Sequence, residues 1–373
     1  MNILIITPDY PDKSRSVYPF VKQLVAEFAR QGHRCYVVAP YSITKNKRKC
    51  QEVEKESENI TIYRPNHFSF SNYTIGTFFP SQYLRQHAIN RALCQLPIKP
   101  DVVYCHFWEC GLEGYQYAKK YAIPLFVASG ESDISVLMRN KHVPVGFVET
   151  VAGVICVSTK NKEESITLGL TTEDKCIVKP NAVNSELFKH SDKSECRELL
   201  GFPKDAFIVS FVGAFIERKG ANRVAVAIKS LSGEPVYSIF VGRGNVEPDC
   251  DNILFKGALP HEDISEYLNA SDVFVLPTLA EGCCNAIVEA MACGLPIISS
   301  NRPFNWDVLN DSNSIMIDPE NIQEIASAIK DLRDNPEKRN ALSDGALETA
   351  KNLTIEQRAE SILNFIKERI QKN

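Results

Sequence analysis

The chain has 373 residues, more than one hydrophobic core usually serves, so two domains are expected. Apolar residues at 44% and charged residues at 24% describe an ordinary globular protein, and a net charge of -4 argues against a dedicated nucleic-acid binder. Residues 1–185 hold 22 Lys and Arg against 17 Asp and Glu, net +5, while the remainder is acidic; the basic half suits an anionic partner or membrane surface, or is plain solvated charge.

In chain order, NILIIT is a first strand rather than a targeting signal, since no basic leader precedes it. A helical pattern runs from Val17 to Arg30 and is closed by Gly32. RCYVVAP and ITIYRP are further strands, separated by TKNKRKCQEVEKESE, which reads as a polar loop. SQYLRQHAINRALCQL is predicted as a helix with Leu84, Ala88, Leu93 and Leu96 as its core stripe. DVVYCH, PLFVAS, GVICVS and CIVKPN continue the strands. Strands alternating with helices imply a parallel, doubly wound sheet, whose double-sided burial explains the continuous Val and Ile runs.

Asn181 to Glu195 reads as a linker, and the pattern then restarts with AFIVSFVGAF, VYSIFVGRG, NILFKG, DVFVLPT, LPIISS and NSIMID. The expected architecture is therefore α/β, with two Rossmann-like domains, 1–185 and 186–353. The amphipathic tail from Thr354 carries Ile355, Ala359, Ile362, Leu363, Ile366 and Ile370 on one face, to pack on one or both domains. No apolar stretch is long enough to span a membrane. The twelve cysteines, with no C-x-x-C pair, read as reduced, mostly buried thiols of a cytosolic protein.

Open sheets of this kind bind ligands outside the carboxyl ends of their strands, so the cleft between two such domains is the expected site. Four stretches follow strands. In FVGAFIERKGANR, Arg218 and Lys219 lie between Gly213 and a helix start, where two cations and helix amides suit a diphosphate; a solvated surface pair is the alternative. In AEGCCNAIVEAMACG, residues Gly282, Cys283, Cys284 and Asn285 present amides at a helix N-terminus. Glu289, one turn on, leans back toward the same place and suits ribose hydroxyls, and Glu281 suits another polyol; a favourable charge on the helix dipole is the alternative for Glu289. Cys283 and Cys284 read as small filler rather than a metal site. In YCHFWECG, His106 ends a strand and suits substrate bonding or proton transfer, or packs against Phe107 and Trp108. In VASGESD, Asp133 reads as a helix cap and Glu131 as a cap or a substrate contact.

Together these stretches resemble the retaining glycosyltransferases of family 4, which have the GT-B fold. VGAFIERKG resembles that family's donor-phosphate loop, and EGCCNAIVEAMACGLPIISS its E-x7-E segment. CHFWECG, KPNAVNSELF and IITPDYPDKSRSVYPFVKQLVAEFARQGH match its His-aromatic stretch, its P-N-[GA]-V signature and its N-terminal strand, loop and helix. Ala214 stands where the family often has arginine, SVYPF where it often has a glycine pair, and Cys283 and Cys284 where it often has Phe and Gly.

The resemblance implies a metal-independent transfer of sugar, with retention, from a UDP- or GDP-sugar co-substrate to a glycan or lipid-linked glycan acceptor. The setting it implies is bacterial surface polysaccharide synthesis, in the cytoplasm or on the inner membrane face, with no other cofactor. Arg218 and Lys219 would hold the diphosphate and Glu289 the ribose. Glu281 would hold the sugar, with amides around Cys283 and Cys284, and His106 would lie near the reacting carbon. The C-terminal helix, 354–373, would return to the first domain. Phe78, Phe79, Tyr83, Arg85 and Arg91 are candidate acceptor or membrane contacts. A nucleotide-sugar epimerase of the same fold and a non-catalytic nucleotide-sugar binder are the alternatives. An NAD dehydrogenase is disfavoured, since no G-x-G-x-x-G follows the first strand.

Overall fold

The computed structural model describes residues 1–12, 17–46, 52–71, 73, 74, 76, 79–139, 141–231, 233 and 235–372. Phe78 and Ser16 therefore lie outside the described residues. The chain forms two compact units. The first comprises Met1–Val157, Asn161–Lys179 and Ala359–Asn373; the second comprises Ser158–Lys160 and Pro180–Arg358. These divisions fall at 179/180 and 358/359, against the 185/186 and 353/354 expected from sequence. The difference has a physical cause. Val183 pairs with Thr354 as an isolated bridge, and both Val183 and Phe188 are buried. Asp192 then caps the helix Lys193–Leu200, so the polar stretch read as a linker is built into the second unit.

The first unit's sheet holds β1 (Asn2–Ile6), β2 (Arg34–Val38), β3 (Val53–Lys55), β4 (Ile60–Tyr63), β5 (Val102–His106), β6 (Leu125–Ser129), β7 (Val151–Cys156) and β8 (Cys176–Val178). Among the described residues the order is β8-β7-β6-β5-β1-β2-β4-β3. Every pairing is parallel except β3 with β4. β3 lies inside the stretch expected to be loop. Its Val-Glu-Lys side chains are largely exposed, so an edge strand of this kind carries no hydrophobic signal. The central strands are buried throughout, as their apolar runs require.

Three helices of this unit bear on function. α1 (Pro19–Arg30) starts two residues later than the pattern suggested, with Pro19 at its first turn. α2 (Pro80–Leu93) buries Ala88, Ile89, Ala92 and Leu93. Its Arg85, expected as a surface contact, instead forms a mostly buried ion pair with Glu113 of α3 (Trp108–Tyr121), at 2.6 Å. Arg91 donates to the carbonyl of Asn66 at 3.0 Å.

The second unit's sheet holds β9 (Phe207–Val212), β10 (Val236–Val241), β11 (Ile253–Gly257), β12 (Val273–Leu276), β13 (Ile297–Ser300) and β14 (Ser314–Ile317). They run parallel in the order β11-β10-β9-β12-β13-β14. α4 (Ala221–Lys229) follows β9, and α5 (Asn285–Ala292) links β12 to β13. The last helix, α6 (Ile355–Lys372), begins in the second unit and lies mostly in the first. Ala359, Ile362, Leu363 and Ile366 are buried, as the tail's stripe predicted. Phe365 meets Phe126 of β6 edge-on, and Arg369 donates to the carbonyl of Ala152. Gly153 lies beneath that ring pair: a Cβ there would stand 2.7 Å from Phe365 Cε1 and 2.8 Å from Phe126 Cε1. The glycine is what lets the helix sit down on the sheet.

Candidate functional site

The phosphate-type loop leaves β9 at Gly213 and turns into α4 through Gly220, whose φ of +82° is the left-handed region that glycine occupies without strain. A side chain at Gly220 would also strike the Pro277 carbonyl oxygen, 2.8 Å from its Cβ. The loop after β9 thus lies directly on the loop after β12. Between them, Leu279 N donates to Arg218 O at 2.8 Å, and Thr278 Oγ1 lies 3.3 Å from that same oxygen.

This contact brings the sequence-predicted residues of the two loops together. Glu281 Oε1 lies 2.5 Å from Lys219 Nζ and 2.8 Å from Arg218 NH1, and also accepts from Thr278 Oγ1 at 3.0 Å. Arg218 further donates to the carbonyl of Ala280. Burial opposes the charge on Lys219, but the Glu281 carboxylate in contact with it outweighs this and holds the ammonium above its ordinary pKa. Lys219 is therefore a fixed cation at neutral pH. Glu281, read from sequence as a hydroxyl ligand, is also the counter-ion of both cations.

Cys283 and Cys284 are buried, and burial pushes both thiols up, Cys283 to about 12. They are thus neutral side chains. Cys283 is fixed by Asn181 of the P-N-A-V stretch: Asn181 Nδ2 donates to its carbonyl at 2.8 Å and Asn181 N to its sulfur at 3.4 Å. Gly282 is buried in the turn ahead, and Cys284 occupies the cap position of α5. Asn285 opens the helix, and its Oδ1 is buried with no hydrogen-bond partner among the described residues. Gly294, with φ +79°, follows the helix end.

Glu289 lies in the second turn of α5 and accepts from His261 Nε2 at 2.8 Å. His261 was not singled out from sequence. It follows β11, and the rule that ligand groups sit past strand ends would have reached it. Its ring packs on Phe188, with centroids 5.1 Å apart. Burial disfavours its charge, but the hydrogen bond and the charge of Glu289 prevail and raise its pKa. Glu289 is thus oriented by a partner and is not simply a charge on the helix dipole.

In the first unit, His106 is the last residue of β5 and is buried. Its ring meets Tyr104, Phe20 and Phe107 edge-on, at centroid distances of 5.2, 6.2 and 6.4 Å. Trp108 turns away from it, donating Nε1–H to Ser165. Glu131, left open as a substrate contact, is a buried cap. It accepts from Trp108 N at 2.7 Å, from Gly130 N at 2.9 Å and from Ser129 Oγ at 3.0 Å. Asp133 caps the helix Ile134–Met138 through Val136 N.

Removing the shared counter-ion leaves two cations with no carboxylate between them. Glu281→Ala is expected to destabilise the protein by roughly 1–3 kcal/mol, and added pyrophosphate should raise its Tm more than that of the wild type; equal shifts would show that the cations do not form an anion site. The His261–Glu289 pair has a definite pH sign. A raised folded-state pKa adds stability that is complete below the ordinary histidine value and is lost as pH rises through the raised one. The Tm difference between wild type and His261→Ala should therefore be largest in mild acid and shrink towards alkaline pH, and thermal melts across that range will show whether it does.

Residues 19–187 match the model described as Glycosyltransferase Family 4, and residues 192–349 match the model of glycosyl transferases group 1; between them they take in most of the chain. The chain is 27% identical over 351 residues to the Bacillus subtilis strain 168 protein named as the teichuronic acid biosynthesis glycosyltransferase TuaC, covering 88% of each. It is 29% identical over 261 residues to the Escherichia coli protein named UDP-Gal:alpha-D-GlcNAc-diphosphoundecaprenol alpha-1,3-galactosyltransferase, covering 64% of this chain and 67% of that one. Among solved structures, sucrose-phosphate synthase from Thermosynechococcus elongatus superimposes with a TM-score of 0.81 over 100% of both chains at 18% identity, which speaks for the fold. With two parallel, Rossmann-like units of the GT-B class and both halves matched in order, the chain belongs to the group 1, family 4 glycosyltransferases.

Proposed function

We propose that this glycosyltransferase moves a sugar from a UDP- or GDP-sugar to a lipid-linked glycan acceptor, with retention at the anomeric carbon and without a metal ion, in the synthesis of a bacterial surface polysaccharide. The observation that carries the donor assignment is the convergence of Arg218, Lys219 and Glu281 beside the N-terminus of α5. A donor diphosphate brings two negative charges to this spot. Arg218 and Lys219 can take them, together with the amides at the start of the helix, and Glu281 is then released to accept from a hydroxyl of the transferred sugar. Glu289, oriented by His261, is the carboxylate assigned to the ribose hydroxyls.

When the C1–O bond to the diphosphate breaks, its electron pair leaves with the nucleotide, where the same cations stabilise the growing charge. The acceptor oxygen attacks from the face just vacated and gives its proton to the departing phosphate oxygen. His106 is assigned to the reacting sugar by family resemblance. The names of the two relatives support the acceptor class, one being a teichuronic acid enzyme and the other transferring galactose from UDP-Gal to a diphosphoundecaprenol-linked sugar.

The first unit carries a matching surface. Phe68, Phe70, Tyr73 and Tyr83 are each more than half exposed. They belong to one hydrogen-bonded patch: Phe70 N donates to Ser81 Oγ of α2, Ser81 Oγ donates to Ser71 O, and Ser69 N donates to Thr44 Oγ1. Beyond Thr44 the sequence reads KNKRK. Exposed aromatics in a unit whose sequence carries such a basic run suit an anionic lipid surface, where a lipid-linked acceptor is found. No helix among the described residues is long and apolar enough to cross a membrane, so this attachment is peripheral.

A panel of nucleotide-sugar donors with a chelator present should give slow release of UDP or GDP with one of them; no release and no thermal shift with any donor would overturn the proposal. Lys219→Ala should lower that turnover by roughly 100- to 1000-fold, and steady-state rates of the purified variant check it. The wild type should sediment with vesicles containing anionic lipid, less so as salt is added, and a Phe68→Ser, Phe70→Ser double variant should remain in the supernatant. Binding indifferent to anionic lipid and to that variant would refute the membrane surface.

A further inference from the structure

The loop that follows β13 was not weighed in the sequence, yet it leaves the same edge of the second sheet as the phosphate loop. It forms a tight turn that sorts its residues by burial. Phe304, Asn305, Val308 and Leu309 face the interior, while Trp306 is 58% exposed. Leaving an indole in water forgoes roughly 1.5–3 kcal/mol of burial, and the loop does nothing to hide it. It fixes the ring instead: Trp306 Nε1 donates to Asn301 Oδ1 at 2.9 Å.

The base of the turn is equally fixed. Asn305 Nδ2 donates to Ser300 O at 2.8 Å and to Ser299 Oγ at 3.2 Å. Asp307 accepts from Thr159 N and Oγ1 at 2.7 and 2.6 Å, and Asn301 N donates to Ile317 O at 2.8 Å. The loop is also joined to the donor site. Ser300 Oγ donates to Thr278 O at 2.6 Å, and Thr278 is the residue whose hydroxyl donates to Glu281.

A solvent-facing aromatic ring held on a loop that is bonded to the donor loop has the chemistry of a stacking platform. The C–H groups on one face of a pyranose carry slight positive charge and meet the negative face of the indole, and a pinned ring loses little entropy on binding. Strand order decides which part of the reaction it serves. His261, the partner of Glu289, follows β11, whereas Trp306 follows β13, and β9 lies between those two strands. With the ribose at Glu289, the nucleoside end of the donor lies toward β11, and Trp306 belongs to the sugar end.

We infer that Trp306 is a stacking platform for a pyranose ring of the glycan acceptor. This rests on the donor reading given above. The test uses methyl glycosides of glucose, galactose, mannose and N-acetylglucosamine as probes, added to the protein with UDP. Trp108 is fully buried, so acrylamide quenches the emission of Trp306. At least one glycoside should shield that emission, and calorimetry should show its binding weakened about tenfold in Trp306→Ala and largely kept in Trp306→Tyr, which retains an aromatic face.

Shielding by none of the glycosides, or equal glycoside affinity in Trp306→Ala, would overturn the inference. Shielding by UMP alone would overturn it in favour of a nucleobase site. The glycosides are also titrated without UDP, so a failure of UDP to bind counts against the donor reading and leaves the platform separately measured.

Discussion

Two cations on adjacent residues repel each other, and a turn that holds them side by side needs an anion. Glu281 supplies it from the neighbouring loop, within 2.8 Å of both Arg218 and Lys219. The rest of the donor site follows from that contact. It ties the loop after β9 to the loop after β12, which is possible because those strands pair directly, Val209 with Val273 and Ser210 with Phe274. It requires Gly220, since any side chain there would collide with Pro277. It also sets the start of α5, where Asn181 fixes Cys283 from the opposite side. The second glutamate of the segment is likewise oriented by an internal partner, accepting from His261. At the first, an anionic ligand competes with a carboxylate rather than meeting two bare cations.

The chain declares its fold more openly than its site. Buried parallel strands must be apolar along their length, so β1, β5, β6, β7 and β12 stand out as Val, Ile and Leu runs. β3 does not, because an edge strand with largely exposed side chains is written in the same residues as a loop. Among the candidate residues, Arg218, Lys219 and Glu281 stand out by their place after strands, and Glu289 by its place in the helix that follows. What pairs with what does not: Glu281 meets the cations across 62 or more residues, and Glu289 meets His261 across 28. Periodicity reports which face of an element is buried, and says nothing of which charge lies opposite. The same limit applies to Arg85, which reads as a surface cation until Glu113 is seen beside it, and to Glu131, whose use as a cap depends on where the β5–α3 turn lies.

The cysteines agree with their reading as small filler. A vicinal pair beside two acidic residues invites a metal reading, but Cys283 and Cys284 are buried and neutral, and the described cysteines are free thiols. Their contribution is size and lack of charge, which let the Cys283 backbone come within 2.8 Å of Asn181.

The fit of Phe365 over Gly153 bears on how the molecule is made. The surface of the first unit beneath α6 is closed by residues about 200 positions after the strand they cover, with the whole second unit between them in sequence. Throughout synthesis of the second unit, that apolar surface at Ala152 and Gly153 has no permanent cover, so the first unit stays unfinished until α6 is made. A fragment cut at the 179/180 boundary would lack its own lid, and loss of α6 would damage the first unit rather than the second.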